Sequence, residues 1–193
     1  MDITILILAF SYLLGAIPNG LIFGKIIWNK DLRKFGSKNI GATNAWRVLG
    51  KPAGIFIFLL DFMKGAISVW LAETFVNTPS VMVFAGIFAI LGHTFSIYLK
   101  MHGGKGVATG LGVISMMMPK VTLIVFATWL IIVLITRYVS VGSCIAAALV
   151  PILAYKFNAN TEFVLFGLFA AIFIIYKHRE NIYRLRHGKE NKI

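Results

Sequence analysis

Three polar stretches in this sequence hold residue types suited to gripping anions. The first reads Gly36-Ser37-Lys38-Asn39-Ile40-Gly41-Ala42-Thr43-Asn44-Ala45-Trp46-Arg47. Small residues, hydroxyls and amides alternate there, and one Arg closes the run. Glycines such as Gly36 and Gly41 let backbone N–H groups turn inward, while Ser37, Asn39, Thr43 and Asn44 offer neutral hydrogen-bonding groups. Arg47 can hold two oxygens of a phosphate or carboxylate in one plane. The same residues also suit a solvated loop with a helix cap at Ser37 or Thr43.

The second stretch is His102-Gly103-Gly104-Lys105-Gly106, leading straight into an apolar segment that opens Val107-Ala108-Thr109. Glycines before a helix start can aim several backbone amides at one anion, and the helix dipole and Lys105 add positive potential. The spacing G-x-x-x-x-G-K-[ST] is absent, so a nucleotide is not implied. The third stretch opens the tail: His178-Arg179-Glu180-Asn181-Ile182-Tyr183-Arg184-Leu185-Arg186. On a continuing helix His178, Asn181 and Ile182 share one face. Arg179 and Arg186 suit lipid head groups, but a topology anchor explains neither His178 nor Asn181.

The elements that must position these stretches are apolar. Of 193 residues 59% are hydrophobic and 13% charged, with a net charge of +12, and mean hydropathy is +0.84. A soluble domain carries about 25% charged residues. Disorder, a solenoid and an ordinary cytosolic enzyme are therefore excluded, and an integral membrane protein with one domain over 1–193 is expected. The basic excess would suggest nucleic acid in a soluble protein; placed between apolar runs it reads as membrane topology, with no nucleic-acid partner. Seven apolar segments are discernible: Ile3 to Ile27, Ala53 to Ala72, Pro79 to Leu99, Val107 to Met118, Val121 to Ile135, Tyr138 to Tyr155 and Glu162 to Tyr176. The fold class expected is all-α and polytopic with seven transmembrane helices. A five-span count follows if the segments beside Pro119 are re-entrant or merge. With seven spans, fifteen Lys and Arg flank the membrane on one side and two, Lys120 and Lys156, on the other. That bias puts the N-terminus outside and the tail in the cytoplasm. All three polar stretches then lie on the cytoplasmic face.

Within the spans, Asp61 and Lys64 stand one helical turn apart and can pair, and Asn19 and His93 are candidates for interhelical hydrogen bonds. The four His residues, at 93, 102, 178 and 187, lack i, i+4 ligand partners, so no metal site is expected. Cys144 stands alone and makes no intrachain disulfide. There is no G-x-S-x-G, no acidic dyad and no H-x-x-x-x-D box. Chemistry here must proceed without an obvious activated nucleophile.

Taken in order, the motifs resemble those of the bacterial acyl-phosphate:glycerol-3-phosphate acyltransferases. They are Gly36-Ser37-x-Asn39-Ile40-Gly41-Ala42-Thr43-Asn44-x-x-Arg47; Gly92-His93-x-Phe95 leading to Gly103-Gly104-Lys105-Gly106-Val107-Ala108-Thr109; and His178-Arg179-x-Asn181-Ile182-x-Arg184-Leu185-x-x-Gly188-x-Glu190. The opening Tyr12-Leu13-Leu14-Gly15-x-Ile17-Pro18 and Asp61-x-x-Lys64-Gly65 fit as well. Departures are Lys38 where a Gly is usual, Ser96 where a Pro is usual, and Met101-His102 where Phe-Lys is common.

The resemblance implies a multi-pass protein of the bacterial inner membrane, acting as a monomer without a cofactor. It would move a fatty acyl group from acyl phosphate to the sn-1 hydroxyl of glycerol 3-phosphate, giving lysophosphatidic acid and phosphate, the first acylation in phospholipid synthesis. Acyl phosphate is already an activated anhydride, so holding two anions together can dominate catalysis. The expected assignment places Gly103, Gly104, Gly106, Thr109, Thr43 and Asn44 at the acyl-phosphate head, with Asn39 and Gly41 in the same binding loop. Ser37, Arg47, Lys105, His178 and Asn181 orient glycerol 3-phosphate. The hydroxyl attacks directly, its proton passing to a phosphate oxygen or to His178. A transporter of organic phosphate would need comparable binding elements on the outer side, where the connections are short and plain. A membrane scaffold would leave the glycine-rich loops unexplained.

Overall fold

The computed structural model describes residues 2–193, which form ten α-helices and two short 3-10 turns with no strand among them. Two compact units divide the chain, Met1–Met116 and Met117–Ile193.

The first unit opens with α1 (Ile3–Ala16) and α2 (Asn19–Trp28), separated by Ile17-Pro18 and bent by 42°. Pro18 has no N–H to give α1 and stands as the N-cap of α2. After a 3-10 turn at Leu32–Lys34 come α3 (Ala42–Leu49), α4 (Lys51–Phe75), α5 (Pro79–Thr94), a second 3-10 turn at Ile97–Leu99 and the start of α6 (Val107–Met117). Its helices meet through glycine. A Cβ on Gly15 would strike the Ala89 backbone on α5, and one on Gly92 would strike the Tyr12 carbonyl on α1. Gly65 lies likewise against the Thr109 carbonyl and Gly112 against that of Phe62, so α4 and α6 run backbone to backbone. In an apolar solvent, such close approach is what makes helices associate. Polar ties lock the α1–α5 seam: the Tyr12 hydroxyl donates to the Phe95 carbonyl at 2.8 Å, and Ser96 Oγ donates to the Ala16 carbonyl at 2.5 Å. Ser96 has φ −65°, the value proline would fix, so this chain keeps the backbone shape and adds a hydrogen bond. Beneath α3, Leu32, Ala45 and Ile57 form a fully buried cluster.

The second unit contains α7 (Pro119–Thr136), α8 (Val139–Lys156), α9 (Thr161–Lys177) and α10 (Arg179–Arg186). Pro119 is the first residue of α7, the position where its missing N–H costs nothing. It therefore starts a helix instead of interrupting one. Gly142 lets α8 close on Trp129 and Val133, and Gly167 lets α9 close on Val150 and Pro151, each at 3.0–3.3 Å from a would-be Cβ. α9 and α10 meet at His178 with a bend of 54°.

Four helices are long and apolar enough to cross a membrane, and up to six spans result if each bent pair counts as one; α6 is a further, shorter apolar helix. Every expected segment is helical, although Ile3 to Ile27 is two helices bent at Ile17-Pro18 and Pro79 to Leu99 is α5 followed by a 3-10 turn. Large side chains such as Ile26, Leu123, Leu134 and Ile135 are 70–77% exposed. Such a surface is tolerable only where the solvent is hydrocarbon.

Candidate active site

The loop before α3 is organised by one side chain. Asn44 is buried; its Oδ1 accepts the Ser37 N–H at 2.9 Å, and its Nδ2 donates to the carbonyls of Asn39 at 2.8 Å and of Leu32 and Phe35 at 3.1 Å. A Cβ at Gly36, whose φ is +57°, would collide with that same Oδ1. Asn39 turns its own Oδ1 onto the Gly41 N–H at 2.8 Å, an Asx turn that sets Gly41 as the N-cap of α3. Asn44 therefore staples the loop, with both ends of its side chain engaged by backbone. What the loop displays is an exposed Ser37 and, four residues apart on α3, the half-buried Thr43 and Arg47. Lys38 takes φ +58°, the left-handed conformation that explains why glycine is usual at this position. Asp31, not expected from the sequence, caps the preceding turn. Its carboxylate accepts Arg33 Nη2 at 2.7 Å and Arg33 Nε at 3.0 Å, and that hydrogen bonding holds the carboxyl down at about 2.

The glycine loop is built differently from the expectation. The Gly103 N–H donates to the Thr94 carbonyl at 2.9 Å and the Gly104 N–H to the His93 carbonyl at 3.0 Å, both at the end of α5. A Cβ on Gly103 would strike the His93 carbonyl, and one on Gly104 would strike the His93 ring. These two amides are thus engaged with the end of α5. The glycines are needed for contact with the helix end. Gly106, at φ +80°, accepts the first helical bond of α6 from the Gly110 N–H at 2.7 Å. The donors aimed outward are those of the first turn of α6, where no intrahelical acceptor exists, beside the half-buried Lys105. Thr109 is fully buried, with its carbonyl against Gly65, so it contributes through the helix start and its packing.

A buried polar cluster lies in the same unit. Asp61 accepts from Lys64 and from Asn19 Nδ2, both at 3.0 Å, and faces His93 Nδ1 at 3.8 Å; Lys64 also donates to the Ile17 carbonyl at 3.1 Å. The pairing of Asp61 with Lys64 and the interhelical bond from Asn19 are as the spacing suggests.

In the second unit, His178 caps both α9 and α10 and is 3% exposed. Its Nδ1 lies 2.8 Å from the Ile174 carbonyl. A carbonyl only accepts, so Nδ1 carries the proton, and a neutral ring keeps its lone pair on Nε2. Asn181 follows on α10 and is also buried, the helix bending at His178 instead of continuing. Its Nδ2 donates to Glu190 Oε1 at 2.6 Å; Ser140 Oγ donates to that oxygen at 3.0 Å, and Arg184 Nε donates to Oε2 at 2.8 Å. Glu190, not singled out as a site residue in the sequence, is the organiser of this region. Burial pushes its carboxyl up, but the hydrogen bonds from Asn181, Arg184 and Ser140 outweigh that and hold it below its ordinary value. One of only two acids in a basic tail, the other being Glu180, was the available signal.

Helices long and apolar enough to cross a membrane, with the charges of Asp61 and Lys64 buried against each other inside one of them, make this an integral membrane protein. The model of the family described as glycerol-3-phosphate acyltransferase matches residues 5–188. The chain is 42% identical over 189 residues to the glycerol-3-phosphate acyltransferase of Carboxydothermus hydrogenoformans, covering 98% of this chain and 96% of that protein. It is 41% identical over 185 residues to that of Fusobacterium nucleatum, covering 96% and 95%. A crystal structure of PlsY (YgiH), an integral membrane glycerol 3-phosphate acyltransferase in its glycerol 3-phosphate form, aligns with TM-score 0.95 and 38% identity over 100% of this chain and 96% of that chain. The lysphosphatidic acid form aligns with TM-score 0.92 and 36% identity over the same shares. The chain belongs to the glycerol-3-phosphate acyltransferase family.

Proposed function

We propose that this protein transfers a fatty acyl group from acyl phosphate to the sn-1 hydroxyl of glycerol 3-phosphate, without a covalent acyl-enzyme. The observation that carries this is the economy of the polar loops: Asn44 and the carbonyls of His93 and Thr94 fix the two glycine-containing loops from within. Arg47 and Lys105 thereby stand on shaped backbone suited to phosphates. The start of α6 at Gly106 to Thr109, seated by Gly103 and Gly104, holds the acyl-phosphate head together with Thr43. Asn39, Gly41 and Asn44 keep the neighbouring loop in shape. Ser37, Arg47, Lys105, His178 and Asn181 orient glycerol 3-phosphate. As the hydroxyl oxygen bonds to the acyl carbon, the bond from that carbon to the phosphate oxygen breaks and phosphate leaves with the electron pair. The hydroxyl proton goes to a phosphate oxygen or to His178 Nε2. The products are lysophosphatidic acid and inorganic phosphate.

The topology that suits this chemistry has seven spans in the bacterial inner membrane, the N-terminus outside, and both substrates handled by a monomer on the cytoplasmic face. All of residues 1–193 serve as one catalytic domain.

Purified protein in detergent, given palmitoyl phosphate and glycerol 3-phosphate, should release lysophosphatidate and phosphate in equal amounts, and palmitoyl-CoA should neither substitute nor compete. Turnover with palmitoyl-CoA or acyl carrier protein instead would replace the donor; no product in any pairing would exclude the reaction. A general base is typically worth about 10²–10⁴ in rate. His178→Ala keeping more than about a tenth of kcat therefore assigns the proton to phosphate.

A further inference from the structure

The cluster around Asp61 is buried inside the first unit, and the proposed chemistry gives it no task. As a stabiliser it is poorly motivated, because well-packed apolar residues usually replace a buried ion pair without loss. Its connections suggest another use. Asp61 on α4 is fixed from two directions, by Asn19 at the α1–α2 break and by Lys64, at 3.0 Å each. The same carboxylate oxygen, Oδ1, also lies 3.8 Å from His93 Nδ1, a through-space contact longer than a hydrogen bond. The opposite edge of that imidazole carries Nε2, and Nε2 is the atom that a Cβ on Gly104 would strike. The His93 carbonyl meanwhile receives the Gly104 N–H at 3.0 Å, and the adjacent Thr94 carbonyl receives that of Gly103 at 2.9 Å. Backbone and ring of one residue thus form the seat on which the glycine loop rests.

We propose that Asp61 and His93 are positioning residues: the carboxylate orients the imidazole, and the imidazole seats Gly103 and Gly104 so that Lys105 and the first turn of α6 face the substrate. Neither touches a reactant. The inference deepens the functional reading above and rests on it for the identity of the substrate. A ring rotated away from Asp61 would either press into Gly104 or leave a gap beneath it, and in both cases the start of α6 would move. The acyl-phosphate head, held there, should feel this most.

The test is the Asp61→Asn, Lys64→Met double variant of the full-length protein, which removes both charges together and leaves no buried ion unpaired. KM for palmitoyl phosphate should rise about tenfold or more while KM for glycerol 3-phosphate stays within about threefold, the thermal midpoint remaining near that of the parent. Amide hydrogen exchange should quicken over residues 103–106 and stay unchanged over residues 36–44. Parental KM values, an equal rise for both substrates, or unchanged exchange at 103–106 would each overturn the proposal. If the double variant does not fold, His93→Ala, which leaves the ion pair in place, is judged by the same outcomes. If the parent protein turns over no palmitoyl phosphate, the functional reading fails, while the exchange measurement still decides whether Asp61 and His93 hold the loop.

Discussion

Two regions of this protein solve one problem with opposite chemistry. The loop at 32–44 is gathered by Asn44, a neutral amide, and the segment at 178–190 by Glu190, a carboxylate. An amide both donates and accepts, so Asn44 can take one N–H and serve three carbonyls of a single stretch of backbone. A carboxylate only accepts, so Glu190 gathers donors carried by different elements: Ser140 on α8, Asn181 and Arg184 on α10. A hub that must shape a loop needs mixed valence, and a hub that must join helices needs charge. The first is indifferent to acid and the second is not.

The largest effect should come from breaking the charged hub. Glu190→Ala removes the hydrogen bond from Asn181 and the counter-ion of Arg184. We expect a loss on the order of 3 kcal/mol in stability, since Arg184 is partly exposed and loses less than a fully buried cation, seen as a lowered thermal midpoint with activity below 1% of parent as an order-of-magnitude expectation. Asn44→Ala should cost about 1–3 kcal/mol through the abandoned carbonyls and the Ser37 N–H. Its signature is faster amide exchange over residues 32–41 with residues 178–190 unchanged.

The comparison sharpens with pH. The Glu190 carboxyl titrates below its ordinary value of 4.5, so its contribution is complete above 4.5 and drains away as pH falls through the folded value. Acid denaturation curves of Glu190→Gln should lack that portion of the acid limb, whereas Asn44→Ala should keep it. An unaltered limb in Glu190→Gln would show that the carboxylate is not what couples the tail to acid. The smallest change is a gain: Lys38→Gly relieves a left-handed lysine and should stabilise the protein by about 0.5–1 kcal/mol by thermal unfolding.

What could be seen in the sequence was local or compositional. Asp61 and Lys64 pair because helical spacing alone brings them together, and the apolar segments are helices because their composition permits little else. The run Ile3 to Ile27 reads as one segment in sequence, and its division into α1 and α2 at Pro18 emerged only in the structure. The inward turn of Asn44 was hidden, because a polar loop residue can face backbone or water with equal plausibility and only the neighbouring carbonyls decide. The amides of Gly103 and Gly104 looked available for an anion; their partners, the carbonyls of His93 and Thr94, enter only when the chain doubles back on the end of α5. Glu190 meets Ser140 across fifty positions, a distance at which no spacing rule operates.

The glycine seams of the first unit carry a last consequence. Where Gly92 meets Tyr12 and Gly112 meets Phe62, main chain lies on main chain, and no side chain stands between them to swing aside. A boundary of that kind has no intermediate settings: it stays shut or the helices part entirely. Any local adjustment in this unit must therefore fall to contacts made by flexible side chains, while these seams act as a fixed chassis.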